Sequence, residues 1–220
     1  MRVRVKVCGF RHPEDVLRLR GLEVDGLGVV LDEGPTQVSP ERARAIVQAA
    51  DEAGVSAERI AVPGPTDASG VRALLEAGFD RVQAVLTPTE RAALPGEAPV
   101  LPVFFDDDDL VQRVTRFFEA APAALGGGPW GVVNLDGRGG GGRGVAADRA
   151  RAAATARRFP TTLSGGLTAD NVVEAIRAVR PVAVDVSSYT EGPDGRKSRD
   201  RIARFVEAVR AAERDAIAGP

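Results

Sequence analysis

Thr161–Ser188 reads TTLSGGLTADNVVEAIRAVRPVAVDVSS. A short β-prone run, Thr161–Leu163, enters a small-residue turn, Ser164-Gly165-Gly166-Leu167-Thr168. A run of helical period, Ala169–Val179, follows. A second β-branched run, Val182–Val186, then ends in Ser187-Ser188. Strand, helix and strand in this order imply two parallel strands joined by a crossover. Glycines at the first turn let backbone N–H groups approach an anion at the helix N-terminus. The plainer reading is a glycine turn with a helix cap. Two such loops in succession favour a phosphate site, because the loops after the last two strands of a barrel recurrently bind one.

The same alternation extends back through the chain. Strand candidates are Val3–Cys8, Gly26–Leu31, Arg59–Val62, Arg81–Val85, Val100–Phe104, Gly131–Leu135, Thr161–Leu163 and Val182–Val186. Helix candidates are Pro40–Ala53, Asp67–Glu76, Asp109–Ala120, Asp148–Arg158, Ala169–Val179 and Ser198–Ala212, with shorter stretches at Pro13–Arg20 and Pro88–Leu94. Eight strand–helix units in 220 residues leave little spare chain. They predict an α/β fold, a (β/α)8 TIM barrel occupying residues 1–220 as one domain, with an open doubly wound sheet as the competing arrangement. The last residues, Ala216–Pro220, read as frayed.

Composition narrows the function. Hydrophobic residues make up 44% of the chain and charged residues 27%, which suits a folded core. The net charge of −2 argues against nucleic acid or an anionic membrane as partner, since both call for a basic surface. No run approaches the roughly 20 apolar residues of a membrane helix. The start, Met1–Val7, lacks the apolar run of a signal peptide. A single cysteine excludes an intrachain disulfide and fits a reducing, cytoplasmic setting.

That cysteine closes the first strand in Lys6-Val7-Cys8-Gly9. Barrel strands deliver their C-terminal residues to the active-site mouth. A thiol there can act as base or nucleophile, although a lone cysteine is more commonly an inert core residue. The sixth strand delivers Asp136, a candidate general acid if burial raises its pKa. A glycine run with Arg138 and Arg143 follows it, either a cationic binding loop or a plain surface loop. Asp106–Asp109 reads as N-capping and dipole-complementing charge rather than a metal cluster. His12 reads as structural or solvated, and Trp130 or Tyr189 could line a pocket.

In this order the motifs resemble the phosphoribosylanthranilate isomerase family of tryptophan biosynthesis. The family's opening Lys-Ile-Cys-Gly is similar to Lys6-Val7-Cys8-Gly9. Its strand-6 aspartate and Gly-Gly-Thr-Gly loop are similar to Asp136 and Gly141-Gly142-Arg143-Gly144. Its Ala-Gly-Gly-Leu with a downstream Asn-Val is similar to Ser164–Leu167 with Asn171-Val172, and its Val-Asp-Val-Ser-Ser-Gly to Val184–Ser188. The resemblance implies an isomerase with no cofactor that performs an Amadori rearrangement on a small phosphorylated sugar-amine, as a monomer or homodimer. It implies Cys8 as base and Asp136 as acid, with Asp185 orienting the sugar or amine. Backbone groups near Gly142, Gly144, Gly165, Gly166, Ser187 and Ser188 would hold the phosphate.

Three positions depart from the pattern. Thr36 stands where the family has an arginine that grips the anthranilate carboxylate, and threonine cannot make that bidentate contact. Val85 replaces a histidine in the stretch Gln83–Leu86. Tyr189 replaces the glycine after the serines, a costly change if the backbone there has positive φ. Arg143, in place of a threonine, would either partly replace that lost positive charge toward the substrate or add a phosphate contact. The departures keep two other readings open: a paralogue acting on a different phosphorylated sugar, and a non-catalytic barrel that binds a phosphorylated metabolite.

Overall fold

The computed structural model describes residues 2–122, 128–138 and 145–218. Its eight strands are β1 (Arg4–Cys8), β2 (Gly26–Val30), β3 (Glu58–Pro65), β4 (Arg81–Val85), β5 (Val100–Phe105), β6 (Val133–Asp136), β7 (Thr161–Leu163) and β8 (Ala183–Val186). Each pairs in parallel with the next, and β8 pairs with β1 to close the barrel. The expected (β/α)8 TIM barrel is the observed fold; no open sheet edge remains.

Seven α-helices follow β2 to β8: α1 (Pro40–Glu52), α2 (Ala68–Glu76), α3 (Pro88–Ala92), α4 (Leu110–Ala120), α5 (Arg149–Ala156), α6 (Val172–Val179) and α7 (Arg199–Ala218). The expected helix at Pro13–Arg20 is a 3-10 helix, Pro13–Leu19. The short α3 is held by a capping box in which Thr87 and Glu90 satisfy each other's backbone N–H groups. α6 starts at Val172, later than expected. α7 runs to Ala218, through part of the stretch expected to fray. β3 is longer than the apolar run alone suggested. Its register against β4 shifts between Ala61 and Gly64, and such a bulge tolerates Pro63 and Pro65, which cannot donate to the ladder.

Two apolar regions hold the barrel. The larger lies between strands and helices, where Phe104, Phe117 and Phe118 meet edge-to-face with centroids 5.2 Å apart. The smaller lies inside the barrel at its N-terminal end. There Trp130 is fully buried with Ile60, Leu101 and Ala183, and the Arg4 guanidinium sits 5.7 Å from its ring centroid. Trp130 is thus a plug opposite the mouth and lines no functional pocket.

Gly26 on β2 leaves the space that the indole occupies. A Cβ there would lie 2.7 Å from the Trp130 ring and 3.0 Å from Ile60. Gly26→Ala is expected to destabilise the fold by about 1–3 kcal/mol through overpacking, read as a lower urea midpoint with an unchanged m-value.

Candidate active site

The period-two alternation of β1 turns Lys6 and Cys8 to the same, inner face. Register places Lys6 beside Asp185 of β8 and Cys8 beside Gly28 of β2. Gly28 makes the arrangement fit: a Cβ there would lie 2.5 Å from Cys8 Sγ and 2.9 Å from the Lys6 stem. Lys6 is fully buried and donates from Nζ to Asp185 Oδ2 at 2.7 Å. On the other side of Asp185, the Ser164 hydroxyl donates to the same oxygen at 3.4 Å and receives Asn134 Nδ2 at 3.0 Å. A continuous polar network therefore runs beneath the mouth through β6, β7, β8 and β1.

Cys8, Asp136, Asp185, Gly165, Gly166, Ser187, Ser188 and Thr36 all line the mouth at the strand C-terminal ends. Gly142, Arg143 and Gly144 lie outside the described residues. Arg138, the last described residue before them, is exposed and pairs with Asp108 at 2.9 Å.

The electrostatics separate the two candidate proton-transfer groups. Burial pushes the Asp136 carboxyl up, the Gly137 N–H at 2.7 Å resists, the Asp185 charge adds and Lys6 subtracts; the result is about 6. Burial also raises the Cys8 thiol; Lys6 pulls it down and Asp185 pushes it further up, leaving it above its ordinary value. For Lys6, burial favours loss of the proton, but Asp185 and Cys8 outweigh it and hold the ammonium. At neutral pH the resting site thus has a thiol, a largely ionised Asp136 and an internal ammonium below them.

The loops are held from behind. Gly165 and Gly166 both have positive φ, 87° and 59°, and a Cβ on Gly165 would lie 3.0 Å from Asp136 Oδ1. Asn171 pins this turn, accepting from Thr168 N at 2.9 Å and donating to the Gly166 carbonyl at 2.9 Å. After β8, Ser187 Oγ donates to the Cys8 carbonyl at 3.2 Å. Tyr189 has no positive φ. It lies in a 3-10 turn, Ser188–Thr190, with its ring 6.4 Å from Phe205, so replacing glycine carries no backbone cost. Thr36 packs against Gly9, and the Pro35 carbonyl accepts Arg11 Nη1 at 3.2 Å.

Two expectations outside the mouth needed the structure. Asp109 occupies the cap position of α4 but makes no capping bond; Arg113 and Arg116 take its carboxylate at 3.0 and 3.2 Å. Asp106 is buried and accepts two bonds from Arg151, at 2.7 and 3.0 Å, and one from Asp148 N at 2.9 Å. The acidic run is consumed by ion pairs. Among the described residues no group of three metal-ligating side chains converges. His12 is half-buried at the start of the 3-10 helix and caps nothing.

Sequence reading passed over Lys6 and Gln83 as site residues. Gln83 is 5% exposed and faces the mouth with Oε1 unpartnered, as is Asp185 Oδ1. Buried acceptors without partners are uncommon, and both of these belong to residues that line the mouth. The signal for Lys6 was its phase with Cys8 on one strand.

A barrel that brings a carboxyl and a thiol to one mouth, backed by an internal ammonium, has the layout of a barrel enzyme. The comparisons place it further. The family model described as N-(5'phosphoribosyl)anthranilate (PRA) isomerase matches residues 129–208. An N-(5'-phosphoribosyl)anthranilate isomerase of Halorubrum lacusprofundi is 33% identical over 210 residues, covering 92% of this chain and 94% of its own. The phosphoribosyl anthranilate isomerase structure from Thermus thermophilus superposes with a TM-score of 0.76 at 27% identity, covering 95% of this chain and 99% of its own. A phosphoribosyl anthranilate isomerase in complex with reduced 1-(o-carboxyphenylamino)-1-deoxyribulose 5-phosphate superposes at 0.73 with 26% identity and the same coverage. The chain belongs to the N-(5'-phosphoribosyl)anthranilate isomerase family.

The raised carboxyl has a consequence for stability. An aspartate that titrates near 3.8 unfolded and near 6 folded favours folding when protonated, so its cost develops as pH rises from about 4 to about 6. Asp136→Asn is expected to be more stable than the parent by about 2–3 kcal/mol above pH 6, with no difference below pH 4, in denaturant titrations across that range.

Proposed function

We propose that this chain converts N-(5'-phosphoribosyl)anthranilate to the 1-deoxyribulose phosphate by an Amadori rearrangement, as its relatives' names indicate for them. The observation that carries the reading is the pairing of Asp136, raised to about 6, with Cys8 across one mouth. Two groups with separated pKa values suit acid–base exchange. Protonated Asp136 gives its proton to the ribose ring oxygen, opening the ring to a Schiff base. The Cys8 thiolate takes the proton from sugar C2, leaving an enolamine that tautomerises to the ketone. One proton is given and one is taken, so the pair resets by net transfer of a proton from thiol to carboxylate.

The remaining roles follow from position. Asp185 Oδ1 and Gln83 Oε1 accept from the sugar hydroxyls or the amine. Lys6 stabilises the thiolate as it forms. Backbone N–H groups of the Gly165–Gly166 turn and of Ser187–Ser188 hold the phosphate, with the 142–144 segment completing the site. The setting we propose is cytoplasmic, with no residues reserved for nucleic acid or membrane; no described helix is long and apolar enough to cross a membrane.

Substrate fluorescence falls on conversion, which gives a direct assay. Cys8→Ala and Asp136→Ala should each lower turnover by about 10²–10⁴-fold, and near-normal rates in both would overturn the roles. The productive form needs Asp136 protonated and Cys8 ionised. In the parent, kcat/KM should therefore climb to about pH 6, stay level, and fall above the thiol's pKa. Asp136→Asn should remove the level region.

The aglycone end carries Asp32, Glu33 and Thr36, and no described mouth-lining residue there is an arginine or lysine. Thr36→Arg should lower KM for the anthranilate substrate about tenfold by supplying a bidentate carboxylate partner. An unchanged KM would mean that the carboxylate does not reach this rim.

A further inference from the structure

Lys197 is a second buried lysine, and the chemistry above makes no use of it. It is 3% exposed and lies on none of the eight strands. Its ammonium donates to the Ser187 carbonyl at 3.3 Å, to Thr190 Oγ1 at 3.1 Å and to Glu191 Oε1 at 3.2 Å, and it lies 5.8 Å from the Phe10 ring centroid. Its backbone N–H donates to the buried Asp15 at 3.1 Å, and Arg196 grips the same carboxylate from Nε and Nη2. An antiparallel bridge joins Glu191 to Lys197. Residues 190–198 therefore form a strap, fastened to the 3-10 helix that follows β1.

The strap controls one peptide group. The Ser187 carbonyl accepts from Lys197 Nζ, from Thr190 N at 3.0 Å and from Thr190 Oγ1 at 2.6 Å. Neither Lys197 nor Thr190 lines the mouth, whereas Ser187 and Ser188 do. Every peptide bond described is trans, so the Ser188 N–H points opposite to the Ser187 carbonyl. Holding the carbonyl back thus turns the Ser188 N–H forward into the mouth. The Ser187 hydroxyl, bonded to the Cys8 carbonyl, ties the same loop to the end of β1.

We propose that Lys197 is a positioning residue for substrate phosphate: through the Ser187 carbonyl it aims the Ser188 amide at the anion, and its charge lies directly behind that amide. The inference rests on the phosphate reading of the β8 loop. Glu191 is its counter-ion and moderates the charge that the loop feels, with Arg11 3.7 Å from Glu191 on the far side.

The test uses inorganic phosphate as competitive inhibitor, with KM and kcat measured on the phosphorylated substrate. Lys197→Met keeps the apolar stem over Phe10 and removes the three donated bonds. Ki for phosphate and KM should both rise about 10–100-fold, the worth of losing charge-assisted bonds, while kcat changes less than about threefold. A variant with a lower melting temperature and unchanged Ki would make Lys197 a structural anchor and overturn the proposal. If phosphate does not inhibit the parent, the phosphate reading fails and the proposal with it; if it inhibits parent and variant equally, only the proposal fails. Should Lys197→Met not fold, Thr190→Val decides. It removes the 2.6 Å bond that holds the same carbonyl, so Ki for phosphate should rise about three- to tenfold, and an unchanged Ki would refute positioning through that carbonyl.

Discussion

Lys6 and Asp185 face each other at 2.7 Å inside the barrel, a lysine without solvent contact beside a carboxylate almost as buried. Taking two charges out of water costs several kcal/mol each, and removing either partner alone typically costs about 3–5 kcal/mol. Such a pair persists when the surrounding groups complete it. Here the Ser164 hydroxyl, itself held by Asn134, satisfies part of the carboxylate, and the other oxygen is left without a partner beside the mouth. The same ammonium works against burial at both candidate proton-transfer groups, opposing the rise of the thiol above it and of the carboxyl across from it. The glycine at position 28 belongs to this constraint, because without its missing side chain neither Lys6 nor Cys8 would fit.

The positioning of the mouth depends on loops anchored from their outer sides. Asn171 holds the turn after β7 by its backbone, and Lys197 with Thr190 holds the turn after β8. In both cases a carbonyl is engaged by side chains that do not themselves line the mouth. A site made of backbone donors can be no more accurate than the groups that fix the backbone, and those groups lie outside the cavity they serve.

Much of this was legible in the chain itself. Cys8, Asp136, Asp185 and the serines sit at ends of β-prone runs, and a parallel barrel sends such ends to one face, so strand counting alone gathers them. Lys6 was harder, because a lysine in an alternating strand reads equally as solvent-facing until closure of the barrel makes its face an interior. Lys197 carries no local signal at all; its partners come from the loop after β8 and the chain after β1, and only tertiary structure assembles them. Asp109 has the residue type of a cap, but two arginines four and seven residues later compete for it more strongly than its own helix does. Tyr189 in a glycine's place would strain the chain only at positive φ, a condition the sequence does not reveal; the loop takes a 3-10 path that any residue can follow.

Trp130 gives the barrel an inside and an outside of unequal character. With the indole, Ile60, Leu101 and Ala183 filling the N-terminal end, the described interior opens at the mouth. On the proposed reading substrate and product share that door, and the glycine turn after β7 and the serines after β8 stand on its threshold. Turnover is then a matter of traffic as well as chemistry: a grip firm enough to orient the incoming sugar also delays the outgoing one, and the loops at the rim set that exchange rate.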